Sequence, residues 1–201
     1  MNAGPTSERV QDALRRAVLA HRFRPGDRLD PALLAPTVSS SVTPVREALY
    51  VLAGEGLVET RTSDGFHLPH LDEPTLRDRY QWNAQLARLA IAGRELALPA
   101  GESPSEDSAG ATAELMARIA RLSGNVELHG AMASLNARLH AVRIVEAEVL
   151  DGVAEELAQI GGAFAEDDRP LLRRLITVYC SRRERAAAAI LRALYRSPTD
   201  G

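Results

Sequence analysis

The strongest constraint on the fold lies in the first seventy residues, where a helical apolar period stops three times at turn-forming residues and then changes to short extended runs. Val10, Leu14, Ala17 and Val18 line one face of a first helix, which Thr6 or Ser7 is placed to cap. Phe23-Arg24-Pro25-Gly26-Asp27 is a turn by its Pro-Gly pair, and a short second helix is expected from Asp30 with Pro31 in its first turn. Ser39, Ser40 and Ser41 interrupt it. Thr43 followed by Pro44 then reads as the cap and first residue of a third helix, with Val45, Ala48, Leu49 and Leu52 as its inward stripe. After Gly54-Glu55-Gly56, Leu57 to Arg61 and Phe66 to Leu68 flank Ser63-Asp64-Gly65, the pattern of a short hairpin.

Three helices followed by a hairpin make a winged helix-turn-helix. Leu71-Asp72-Glu73-Pro74 reads as a connector, and the remainder is helical pattern or polar loop. The expected architecture is mainly α: a winged helix-turn-helix of three helices plus a β-hairpin wing over residues 1–70, then an all-α bundle over 71–201. The bundle helices are expected near Thr75 to Leu98, Thr112 to Leu122, Val126 to Ile160 with breaks at Ser134 and Gly152, Pro170 to Cys180, and Arg183 to Tyr195. Gly101 to Ser108 is a polar, breaker-rich stretch and reads as a mobile loop.

The ordered run Pro25-Gly26-Asp27-Arg28-Leu29, Leu34-Ala35, Ser41-Val42-Thr43-Pro44-Val45-Arg46-Glu47-Ala48-Leu49, Leu52, Glu55-Gly56-Leu57-Val58 and Gly65 resembles the N-terminal domain of GntR-family transcription factors. It is most similar to their FadR-like branch, in which an all-helical FCD effector domain follows. The resemblance implies a dimeric regulator that binds a double-stranded DNA operator and responds to a small, anionic effector. Elementary chemistry points to the same face: a helix entering the major groove needs polar side chains at its N-terminal end and an apolar opposite face. Arg46 projects from the third helix away from the Val45/Leu49/Leu52 stripe, and its fork suits guanine O6 and N7 or a phosphate. Ser41, Thr43 and Pro44 mark the start of that helix, where free N–H groups suit a phosphate oxygen. Arg28, Arg61, Gly65 and His67 complete the candidate DNA-binding set. Taken singly, Thr43 is equally well a cap, and Arg46 a surface charge paired with Glu47 or Glu55.

Departures from the family pattern fall where DNA would lie. Val42 stands where arginine is usual, Asp64 puts a carboxylate at the wing tip, Pro31 replaces a glutamate, and Ser39 and Ser40 replace glycine and valine. Arg61 and His67 are the hairpin side chains expected to offset Asp64. Over residues 1–70 the charges cancel: Arg9, Arg15, Arg16, Arg22, Arg24, Arg28, Arg46 and Arg61 face Glu8, Asp12, Asp27, Asp30, Glu47, Glu55, Glu59 and Asp64. The whole chain carries a formal charge of only -3. Affinity is therefore expected to be modest and to rely on two subunits reading two half-sites. The competing reading is a diverged dimerisation or protein-interaction module without specific DNA binding.

In the bundle, the FadR-like branch commonly holds a metal on one Asp and three His, and this chain keeps little of that set. Asn125 and His129 occupy the Asp-x-x-x-His position. His140 lies about 16 Å further along if the helix is continuous, too far to share an ion. No metal and no cofactor are expected; His129 reads more readily as pocket-lining than as a ligand. Asn125, His129, Asn136, Arg138 and Tyr179 are the candidate effector-binding residues, with Arg143, Arg173, Tyr80 and Trp82 as further cavity-lining candidates. Tyr80 and Trp82 also read as helix packing or a dimer seam, and the Ala186 to Ala189 run as close helix packing. No nucleophile elbow, phosphate loop or paired-carboxylate arrangement is present, and Glu146 with Glu148 points two ways on a helix; no enzyme is expected. The lone Cys180 cannot form an internal disulfide, and no segment approaches the roughly 18 apolar residues of a membrane span. A cytoplasmic protein is expected.

Overall fold

The computed structural model describes residues 5–62, 64–93 and 107–196, which fall into two compact units meeting at Leu71 and Asp72. In the first, helix α1 spans Pro5–Leu19, strand β1 Arg28–Leu29, helix α2 Pro31–Thr37, helix α3 Val42–Gly54, and strands β2 and β3 Glu59–Arg61 and Gly65–His67. Because α1 already begins at Pro5, Ser7 stands inside its first turn and not ahead of it; the expected cap role of the Thr6 side chain lies outside the described residues. Val10, Leu14 and Val18 are buried on the side that packs against α3, whose Val45, Ala48, Leu49 and Leu52 face them. Asp30 caps α2 by accepting a 2.8 Å bond from the Ala32 amide, with Pro31 next.

Helix α3 starts two residues earlier than the Thr43-Pro44 signal suggests. Ser41 is its extended cap residue (φ -89°, ψ 169°), and its side chain makes no capping bond. Pro44 thus occupies the third helical position, where its missing N–H is one that the helix leaves unpaired anyway. The sheet has the order β1-β3-β2 and is antiparallel throughout, pairing Arg28 with His67 and Arg61 with Gly65. The strand β1 is an addition to the expected hairpin. Two residues carry no periodicity, and Arg28–Leu29 becomes extended only because β3 offers it a partner. The Pro25-Gly26 turn delivers it there: Gly26 has φ +93°, its amide donates to Leu68 O at 3.0 Å, and Leu68 N returns a bond to Asp27 O at 2.9 Å.

The second unit is all helical: α4 Glu73–Ile91, α5 Ser108–Arg121, α6 Val126–Glu146, α7 Val153–Ala165 and α8 Arg169–Arg196. The second half of the expected connector is helix, because Asp72 accepts a 2.8 Å bond from Thr75 N and starts α4 with Glu73 and Pro74 in its first turn. Helix α4 ends at Ile91, so the expected extension to Leu98 passes beyond the described residues, as does most of the Gly101–Ser108 stretch; Asp107 caps α5 through Gly110 N. The chain from Val126 breaks after Glu146 and restarts behind Gly152, but Ser134 sits within an unbroken α6. Residues 169–196 form one helix, not two. Leu172, Ile176, Tyr179, Cys180, Arg183, Ala187, Ile190, Leu191 and Leu194 are one buried stripe at steps of three and four, and the charge of Arg183 disguised its continuity.

Helix α4 lies antiparallel along α8, joined at the edges by Gln81–Glu184 and Arg88–Thr177 contacts, while α5 packs on α6. Where α4 ends, the backbone of Gly93 meets the end of α5: a β-carbon there would lie 2.3 Å from Leu122 O and 2.6 Å from Ser123 Cα. Both neighbours are backbone and cannot rotate aside. Gly93→Ala is therefore expected to cost at least about 1–3 kcal/mol, the range of core overpacking, read as a lowered midpoint in urea unfolding.

Candidate nucleic-acid interface and effector site

Opposite its buried stripe, α3 presents Val42, Thr43, Arg46, Glu47, Tyr50 and Val51, all exposed. Ser41 is exposed as well, and Pro44 is half-buried. Arg46 has no hydrogen bond or ion pair among the described residues. The pairings that would make it an ordinary surface charge are not formed, since Glu55 is taken by Arg15 of α1. A guanidinium is thus held out on a rigid helix with its donors open.

The wing is electrostatically different from its sequence. Asp64 lies 3.6 Å from Arg28 Nη1 as an ion pair and 3.0 Å from His67 Nε2, so the carboxylate at the tip faces two nitrogen groups of the same sheet. That arrangement needs the His67 ring to be buried, and it is 3% exposed. His67 is therefore not placed to reach a phosphate; its Nε2 lies against Asp64 within the sheet. Arg61 is exposed but turned to Glu59 at 2.6 Å. Gly65 supplies the positive φ (+81°) that the turn into β3 requires. Exposed pairs of this kind are worth about 0–1 kcal/mol, so Arg28 and Arg61 can exchange their carboxylates for a phosphate at little cost.

In the bundle, the five expected effector residues do not converge. Asn125 is the cap of α6, its Oδ1 accepting from Glu127 N at 2.9 Å and Leu128 N at 3.2 Å. Eleven residues along the same helix, about 16 Å, Asn136 is buried and donates to Ala113 O at 2.9 Å. His129 is half-buried near the helix start. Arg138 bonds Ser134 O of its own turn, while its carbonyl accepts Arg79. Tyr179 is in the interior, its ring 3.5 Å beneath the Arg183 guanidinium. Of the further candidates, Tyr80 and Arg143 are buried, whereas Trp82 and Arg173 are exposed.

What gathers instead is a buried polar cluster built from α4, α6, α7 and α8. Glu146 of α6 accepts Tyr80 Oη at 2.7 Å through one oxygen and Arg183 Nε at 2.6 Å through the other; Arg183 Nη1 also reaches Glu156 at 2.7 Å. Burial, and Glu146 beside it, push the Tyr80 hydroxyl well above its usual range. Adjacent to this saturated pair lies an unsaturated group. Arg143 is 2% exposed and donates only Nη1, to Asn136 Oδ1 at 2.9 Å; its Nε and Nη2 have no partner, nor have Tyr179 Oη and Asn83 Oδ1. Arg143 is near enough to oppose the burial-driven rise of the Tyr179 hydroxyl and of Cys180. A buried guanidinium with two donor nitrogens unpartnered is an arrangement that an anion or water completes. The sequence pattern singles out neither Arg183 nor Asn83 and shows Glu146 only as one of two carboxylates pointing two ways, although each is a polar residue at a core step of its helix, and that is the signal that would find them.

Cys180 is sealed in the same region, and burial pushes its thiol up to about 12. The thiolate is the reactive form. Alkylation by iodoacetamide at pH 8 is expected to be negligible in the folded protein and complete in urea, read by mass spectrometry.

Residues 6–68 match the family model of bacterial regulatory proteins of the gntR family. These residues are a GntR-family domain. Among curated relatives, the Nta operon transcriptional regulator of Aminobacter aminovorans is 29% identical over 144 residues, covering 64% of this chain and 69% of that protein. The HTH-type transcriptional regulator YdhC of Bacillus subtilis is 28% identical over 78 residues, 39% of this chain and 35% of its own. Solved structures share the fold across both units: a GntR transcriptional regulator from Rhodococcus sp. RHA1 superposes with a TM-score of 0.68 at 20% identity, covering 93% of this chain and 98% of its own. E. coli McbR/YncC gives 0.63 at 17%, covering 94% and 99%. The chain is mainly helical, with the GntR winged helix-turn-helix in front, and the curated relatives it matches are transcriptional regulators. Among the described residues, no helix is long and apolar enough to cross a membrane, and no group of three or more His, Cys, Asp and Glu is placed to hold a metal ion.

Proposed function

We propose that this regulator binds a double-stranded operator as a dimer, with α3 of each GntR domain in the major groove, and that a small anion in an FCD-like bundle modulates it. The observation that carries the DNA reading is Arg46, exposed on the face of α3 opposite the core and without a partner among the described residues. Ser41 and Thr43, with the free amides at the start of α3, contact the backbone beside it; Arg28 and Arg61 reach phosphates after leaving Asp64 and Glu59. The neutral domain supports few phosphate contacts per subunit, so two subunits are needed for useful affinity. The effector reading rests on the half-satisfied Arg143, with Tyr179, Asn83 and Asn136 around it, in place of the scattered set read from the sequence.

The test is a fluorescence-anisotropy titration of the full chain against duplexes tiled across the control region of its own gene, repeated from 50 to 200 mM salt. A specific segment is expected to bind with a shallow salt dependence. Arg46→Ala is expected to weaken it by about 1–3 kcal/mol per half-site, roughly 10- to 100-fold. Equal binding to all segments, or no effect of Arg46→Ala, favours a dimerisation module that has lost specific DNA reading.

A further inference from the structure

We propose that Val42 selects a thymine in each half-site by packing on its 5-methyl group, so that this protein reads a T next to the base read by Arg46. The inference rests on α3 being the groove-reading helix, as proposed above. Val42, Arg46 and Tyr50 stand at steps of four on α3, so they form one outward row. Val42 is 38% exposed and Tyr50 59% exposed, on a helix whose other side is tightly packed. Tyr50 is fixed at the far end of the row by an edge-on contact with Phe66 of β3, ring centroids 4.8 Å apart. An exposed valine and an open guanidinium therefore share one line on a rigid helix.

The chemistry of a valine in that line is narrow. Its branched side chain has one strongly preferred χ1 on a helix, so it is already ordered before binding. It can neither donate nor accept, and the thymine methyl is the apolar feature among base edges of the major groove. Opposite any other base, it would shut water away from N7, O6, N6 or N4 without replacing the lost hydrogen bond. Selection is thus both for the methyl and against bare polar edges. Val42 and Arg46 are four residues apart, about 6 Å along the helix, while successive bases rise about 3.4 Å. The thymine is placed within about two base steps of the Arg46 contact.

The experiment starts from a randomised duplex pool and the full-length chain. The motif enriched by selection is resynthesised with deoxyuridine replacing thymine at one position at a time, which removes only the methyl. One thymine per half-site is expected to matter, its replacement weakening binding about fourfold for a single buried methyl. Val42→Ala is expected to bind the thymine and deoxyuridine duplexes equally, while Arg46→Ala keeps the discrimination. An enriched motif with no methyl-sensitive thymine, or a Val42→Ala protein that still discriminates, overturns the assignment of Val42 alone. Failure to enrich any motif overturns it together with the DNA reading on which it rests.

Discussion

Glu146→Ala is expected to be the most damaging single substitution in the bundle, lowering stability by about 3–5 kcal/mol, the cost of removing one partner from a buried ion pair. The carboxylate is 2% exposed and holds three helices together, accepting from Tyr80 of α4 and from Arg183 of α8 while belonging to α6. Without it, Arg183 keeps Glu156 as its carboxylate partner, beside Tyr179 O and the Tyr179 ring, and Tyr80 loses its acceptor, each in surroundings that water does not reach. For a unit of this size, such a loss lowers the melting temperature by roughly 10 °C or more. Calorimetry of the full chain would show it in the bundle transition. The double variant Glu146→Leu with Arg183→Met is expected to recover much of the loss, because an apolar pair removes both desolvation costs together. If the single and double variants melt alike, the pair is not what stabilises this core.

Arg143→Met is expected to behave in the opposite way: nearly neutral without ligand and decisive with it. The substitution removes a buried cation that already lacks partners at Nε and Nη2, and its main cost is the donor lost to Asn136 Oδ1. The two effects oppose each other, leaving the ligand-free protein within about 2 kcal/mol of the parent. Against a panel of acetate, malonate, citrate and inorganic phosphate, the parent chain is expected to be stabilised by at least one member, by about 2.7 kcal/mol when that anion is at 100 times its Kd. Arg143→Met is expected to lose the response entirely. A parent protein indifferent to all four, or a variant that responds as well as the parent, removes the effector role from this cluster.

These two residues also show where reading a sequence stops. Glu146 and Arg143 lie on α6 at the same three- and four-residue steps as Leu139 and Val142, yet a charged residue at a core step looks like a solvated face until the partner helix is known. Trp82 shows the converse: of two aromatics that read alike as helix packing or a dimer seam, Trp82 is 45% exposed, while Tyr80 two residues earlier is fully buried. The Asn125/His129 pair was chosen for its place in the resemblance, and the structure finds Asn125 occupied in capping its own helix. In the wing, the sequence offers only the hairpin residues Arg61 and His67 to offset Asp64 because Arg28 is distant along the chain; the pairing of β1 with β3 brings Arg28 and Asp64 together.

Local chemistry alone determined the order of helices and hairpin in the first seventy residues, the inward stripe of α3 and the outward Arg46, because helix periodicity, turn residues and a proline near a helix start act over a few residues. Tertiary structure decided the rest. It made Arg28–Leu29 a strand, ran 169–196 through as one helix, buried His67 against Asp64, and chose which polar residues of the bundle meet. Each of those depends on a partner far along the chain. Burial then sets the energetic sign, since the same glutamate or arginine is nearly neutral in water and worth several kcal/mol once its partner has sealed it away.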